Sequence, residues 1–197
     1  MSLTVSGVSS SFEPLPTGTY DAVCFAIAAI GPVRNQRYGK VENKVYLGFQ
    51  VEYDGEMHDI WTRQTQSIGA KATLGKMLRS WRGKDFTPEE LREFQLVNIL
   101  GVPALLIVEQ RTSNSGKVYS NVKDILPPKK KIQAEETWAF DSDDPAKTNY
   151  NKLPKFIQNE IEAAAADLGR PAPTPSVADN SSSLSEASAS VIDDLPF

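Results

Sequence analysis

VENKVYLGFQVEYDGEMHDIWTRQTQ (41–66) is the stretch whose reading decides the fold. Val41, Val45, Leu47, Phe49, Val51 and Tyr53 share one parity, with Asn43 the exception, while Glu42, Lys44, Tyr46, Gly48, Gln50 and Glu52 take the other. A period of two is that of a strand with one face in a core. Asp54-Gly55, within YDGEMHD (53–59), then supplies a tight turn of the kind that joins hairpin strands. HDIWTRQTQ (58–66) is the returning strand.

Outward from this hairpin, TYDAVCFAIAAIG (19–31) carries β-branched and aromatic residues that favour a strand, although Ala26, Ala28 and Ala29 weaken that reading. GPVRNQRYGKVENK (31–44), with Gly31, Gly39 and several positive charges, reads as a connecting loop. Beyond the hairpin the period changes. SIGAKATLGKMLRSWRG (67–83) spaces Ile68, Ala72, Leu74, Leu78 and Trp81 at helical intervals, and Gly83 can stop the helix. TPEELREF (87–94) begins a second helix, with Thr87 as N-cap, Pro88 in the first helical position and Glu90 three residues after the cap. VPALLIVEQR (102–111) is a strand, TSNSGK (112–117) a turn and KVYSNVKDIL (117–126) the last strand, before PPKKK (127–131).

Three strands, a helix and two strands is the order of an OB-fold. The fold class expected is therefore all-β with a helical insert, a five-stranded OB-fold barrel whose strands 2 and 3 and whose 1–2 and 4–5 loops bind oligonucleotides. A small α+β sheet with the same order is the rival. Residues 1–16 are Ser-rich and read as a flexible lead-in, 17–132 as the barrel, and 133–169 as an acidic linker with an amphipathic helix at 153–169. Residues 170–197, rich in proline, serine and alanine, read as a disordered acidic tail.

The formal net charge of −4 hides two unlike parts. Residues 1–132 hold 17 Lys/Arg against 13 Asp/Glu, a net of +4, while 133–197 hold 4 against 12, a net of −8. A mildly basic body with an acidic tail is an asymmetry found in proteins of nucleic-acid metabolism. The lone Cys24 sits in an apolar run and reads as a buried small hydrophobe, with no internal disulfide open to it. No signal peptide and no membrane span are expected, and the compartment implied is the cytoplasm.

No catalytic set is expected, nor any metal or cofactor. His58 is the single histidine, and one cysteine with one histidine leaves a structural zinc site to be completed by carboxylates. SIGAKATLGK lacks phosphate-loop spacing. An oligonucleotide groove needs cations along phosphates and flat side chains against bases. Candidates for that role are Arg34, Arg37, Tyr38 and Lys40 in the first loop, then Lys44 and Tyr46 on the second strand. Trp61 and Arg63 on the third strand and Arg111, Lys117 and Tyr119 around the last turn complete them. Trp81 is expected to dock its helix against the body. The terminal DDLPF, Asp193, Asp194, Leu195, Pro196 and Phe197, combines acids with an apolar end suited to a basic-rimmed pocket on a partner.

That ending resembles the DDIPF tip of bacterial single-stranded DNA-binding proteins, with Leu195 where isoleucine is usual. The body resembles phage and prophage single-stranded DNA-binding proteins in three stretches. These are FEPLPTGTYDAVCFAIAAIGPVRNQRYGKVENKVYLGFQVE (12–52), LRSWRGKDFTPEEL (78–91) and NILGVPALLIV (98–108). The resemblance implies an OB-fold body that coats single-stranded DNA without sequence preference during phage replication, recombination or repair in a bacterial host. It also implies that replication and repair proteins dock on the tip, and it leaves room for a homo-oligomer. The alternative is an adaptor whose body binds protein and whose tail is a tether.

Overall fold

The computed structural model describes residues 14–144 and 146–171. The tail and the Asp193–Phe197 tip therefore lie outside the described residues. The chain forms β1 (Gly18–Arg34), β2 (Val41–Tyr53), β3 (Glu56–Thr65), α1 (Thr73–Arg82), α2 (Pro88–Arg92), β4 (Pro103–Thr112), β5 (Val118–Leu126), β6 (Trp138–Asp141) and α3 (Lys155–Asp167).

Local chemistry explains most of these bounds. Asp54 and Gly55 both take positive φ, 53° and 78°, the pair of values that a two-residue hairpin needs to match the strand twist. β2 and β3 therefore pair in register from Lys44–Thr65 to Tyr53–Glu56. Gly83 closes α1 in the left-handed conformation. A capping box of Thr87 and Glu90 opens α2. Trp81 is buried and donates from Nε1 to the Pro103 carbonyl at 2.7 Å, tying α1 to β4.

The sheet runs β3-β2-β1-β4-β5, with β6 added in parallel to β1. The inner strand β1 is long enough to serve three partners. One edge pairs β2 along nearly its whole length; the other takes β4 over Gly18–Val23 and β6 over Ala26–Ala29. β3 and β5 are both edges, and among the described residues no ladder joins them. The expected closed five-stranded barrel is thus replaced by a mixed α/β fold with a six-stranded open sheet and helices α1 to α3. The strand and helix order fits both topologies, because order along the chain does not state whether the last edge meets the first. β3 and β5 approach each other without a ladder, and α1 packs against both. Leu15, from the segment expected to be loose, is buried in the core under them.

Two cores lie on opposite faces. The larger gathers Val45, Leu47, Phe49 and Val51 of β2 with Leu74, Leu78 and Trp81 of α1 and Leu106, Val108, Val122 and Ile125 of β4 and β5. The smaller takes Phe25, Ala28 and Ile30 of β1 and Tyr46 of β2 under Trp138, Phe140, Ile157 and Ile161 of β6 and α3. The expectation of a polar outer face on β2 is therefore corrected: Lys44, Tyr46 and Gly48 are buried there. The linker expected at 133–152 contributes β6, and the loop expected over 31–44 shrinks to the six residues between Arg34 and Val41 as both flanking strands extend into it.

Candidate functional site

The open edges of β3 and β5 face a cleft of about 580 Å3, walled by Pro14 and Leu15, by His58–Trp61 of β3, by Lys117–Ser120 of β5 and by Pro154 and Phe156 at the start of α3. Beyond Trp61 a second hollow of about 450 Å3 follows the same two strands, with Thr73 and Met77 of α1 and the charged Arg111 and Lys123 around it. Cleft-lining volumes of several hundred Å3 are those of binding sites. Three large apolar side chains stand open to water here: Val118 and Tyr119, each 43% exposed, and Phe156, 52% exposed. The cleft owes its shape to the lead-in. The Leu15 carbonyl accepts from Ser120 Oγ at 3.3 Å, and the Pro14 carbonyl accepts from Gln110 Nε2 at 3.2 Å, which holds this segment beside β4 and β5.

The rim is more positive than negative. Lys117 and Lys123 are exposed without a carboxylate partner among the described residues, whereas Arg111 pairs with Glu109. Asp59 is the acid in the wall, and burial pushes its carboxyl above the usual carboxylate range.

α3 runs from this cleft to a third pocket. Glu160 accepts at Oε1 from Arg63 Nε at 2.8 Å and Nη2 at 2.5 Å, and at Oε2 from the Tyr46 hydroxyl at 2.5 Å. Burial first, and the Glu160 carboxylate next, raise the Tyr46 phenol well above its ordinary value. One turn pair further on, Asp167 accepts from Arg34 Nε at 2.9 Å. Phe156 edges against the Tyr46 ring with centroids 5.9 Å apart.

Of the residues assigned to a nucleic-acid groove, Tyr46, Trp61, Arg63, Arg111 and Tyr119 line the second hollow together, and the others lie elsewhere. Tyr38 and Lys40 sit at the tip of the β1–β2 loop, and Tyr38, 66% exposed, has the Arg37 guanidinium 5.4 Å from its ring centre. Tyr46 is buried beneath α3. Trp61 is half-buried, with the Phe25 and Trp138 rings 5.4 and 6.0 Å from its own. Arg34, Arg37, Lys44 and Arg63 gather around the third pocket, while Arg111, Lys117 and Tyr119 follow the cleft. β6 and α3 cover the sheet face on which the rings were expected to be open, so Tyr46 is buried and Trp61 half-buried, while Tyr38 and Tyr119 are exposed. Residues without a site role in the sequence reading are Leu15 and Phe156 in the cleft and Glu160 and Asp167 over the cations, Phe156 and Glu160 reading only as seam positions of the 153–169 helix. Their signal was available: Phe156, Glu160 and Asp167 fall on one helical face. Among the described residues no group of three or more His, Cys, Asp or Glu is placed to hold a metal ion, and no helix is long and apolar enough to cross a membrane.

The open sheet removes the structural ground for an OB-fold single-stranded DNA-binding protein, and with it the expected roles in DNA replication, recombination and repair and the phage origin. Comparison with protein-family models, with curated proteins and with solved structures finds no match in any of the three, so the resemblance drawn from DDLPF and the body motifs has no support from relatives.

Proposed function

We propose that this protein is an adaptor that holds an extended peptide segment of a partner in the cleft between β3 and β5. The observation that carries the reading is a pair of unpaired strand edges bordering one hollow whose walls are apolar. An edge strand presents a row of free backbone N–H and C=O groups. An extended chain laid along His58–Trp61 or Val118–Ser120 pairs with those groups, as in strand addition, and sets alternate side chains against Leu15, Ile60, Trp61 and Phe156. Lys117 and Lys123 on the rim favour acidic residues flanking the apolar centre of that segment. The Asp193–Phe197 stretch supports a second contact. Two acids ahead of Leu195, Pro196 and Phe197 suit a basic-rimmed apolar pocket on another protein, and the proline limits the conformations to be frozen. Cleft and tip together join two proteins.

The test is fluorescence polarisation with arrayed peptides of about ten residues, apolar at the centre and acidic at the flanks, beside a matched set with basic flanks. Acidic-flanked peptides are expected to bind, and V118D to weaken them about tenfold or more, since it puts an unpaired charge in the apolar wall. Equal binding of the basic-flanked set, or full binding by V118D, contradicts the reading.

A further inference from the structure

The geometry points to a second binding site in this chain, a pocket for a chain of phosphates beside the C-terminal half of α3. The pocket measures about 510 Å3 and lies among the end of β1, the β1–β2 loop, β2, β3 and α3. Four cations line it, Arg34 of β1, Arg37 of the loop, Lys44 of β2 and Arg63 of β3. Three carboxylates attend them, Asp167 on Arg34, Glu42 on Lys44 and Glu160 on Arg63. The surplus is positive, and Arg37 has no carboxylate within salt-bridge distance among the described residues.

The carboxylates fix the cations without using up their donors. Arg34 bonds Asp167 through Nε alone, which leaves both terminal nitrogens. Arg63 spends Nε and Nη2 on Glu160 and keeps Nη1. Lys44 is buried, an uncommon place for a lysine. Its ammonium donates to Glu42 at 2.7 Å and to Thr65 Oγ1 at 2.6 Å, so one of its three protons has no hydrogen-bond partner among the described residues. Arg37 stands on a loop already locked: Asn35 Oδ1 accepts from the backbone N–H of Arg37 at 3.0 Å and of Tyr38 at 3.3 Å, and Asn35 N donates to the Lys40 carbonyl at 2.7 Å. The Tyr38 ring supports its guanidinium.

Unused donors on four cationic side chains that line one pocket suit a ligand with many acceptor oxygens and more than one negative charge. A single carboxylate offers two oxygens, and Glu160 and Asp167 already meet that need. A di- or triphosphate group offers enough for all four cations, and guanidinium forks suit phosphate oxygens. That group can be free polyphosphate or the tail of a nucleotide.

The experiment is isothermal titration of the full chain at low salt with inorganic tripolyphosphate in one arm and adenosine triphosphate in the other. Saturable binding of tripolyphosphate is expected. Equal affinity in the two arms assigns the site to the phosphate chain alone, and tighter binding of the nucleotide assigns it to a nucleotide tail. R37A is expected to weaken binding about tenfold or more through loss of charge-assisted hydrogen bonds, with an unchanged thermal midpoint because Arg37 holds no ion pair in the fold. K129A/K130A, which removes two exposed charges elsewhere, is expected to leave binding unaltered. No saturable heat, or equal losses in R37A and K129A/K130A, overturns the assignment.

Discussion

Gly48 lies on β2 beneath two aromatic rings. A β-carbon there would stand 2.9 Å from Trp61 Cη2 and 3.0 Å from Phe25 Cε1. Both rings also pack against Trp138, and Trp61 is the one with open space beside it, in the cleft. G48A is expected to cost about 1–3 kcal/mol by overpacking, read as a lower urea midpoint; an unmoved midpoint would mean that the rings shift freely. Titration at single residues also sets an alkaline limit. Burial, then the Glu162 carboxylate, pushes the Tyr150 phenol up to about 12, and burial pushes the Cys24 thiol up to about 12. A group whose pKa rises on folding is held protonated by the fold. Its stabilisation is complete below the unfolded values, near 8.5 for a thiol and 10 for a phenol, and is lost as pH climbs from there through about 12. The urea midpoint is therefore expected to fall over that window, and Y150F to flatten part of the slope. An identical slope in Y150F would remove Tyr150 from the account.

Among the elements, α2 depends most on its cap. It spans only Pro88–Arg92 and buries none of its own side chains, so the box of Thr87 and Glu90 contributes a large share of its order. T87A is expected to cost about 1 kcal/mol in chemical denaturation, and a negligible loss would show that Arg82, which pairs with Glu90 and covers the Phe86 and Phe94 rings, suffices. α3 differs, for it is a lid held by packing. Ile157 is fully buried against the smaller core, and I157A is expected to cost about 2–5 kcal/mol. The Gly83 stop of α1, the box of α2 and the Asp54-Gly55 hairpin were legible because each rests on neighbours in sequence, whereas α1 begins at Thr73 and not at Ser67, behind Ala72, which offers no side-chain cap. β6 was not legible. A four-residue strand in an acidic stretch has no period of its own, and it forms only because β1 leaves an edge free beyond β4. One signal did exist, since AVCFAIAAI (22–30) is apolar without alternation, the pattern of a strand covered on both faces. Read that way, it asks for a second layer, and 138–161 supplies it.

At the scale of the molecule, the residues of the candidate sites were legible as types and only in part as constellations. Arg34, Arg37, Lys44 and Arg63 meet in one pocket, and Tyr46 and Trp61 meet at the smaller core, while Tyr38 stands apart on its loop and α3 covers the face that alternation on β2 marked as outward. Closure was the feature that local pattern could not decide. Whether β5 pairs with β3 depends on the summed twist of five strands; here the two approach each other, with α1 packed against both, and form no ladder. The open seam is what the adaptor reading stands on. Its most direct test is hydrogen exchange of the backbone amides of His58–Trp61 and Val118–Ser120, free and with an acidic-flanked apolar peptide. Alternate amides on the outer edges are expected to exchange fast in the free protein and to become protected with the peptide. Protection already complete without peptide, or none gained with it, would contradict the account.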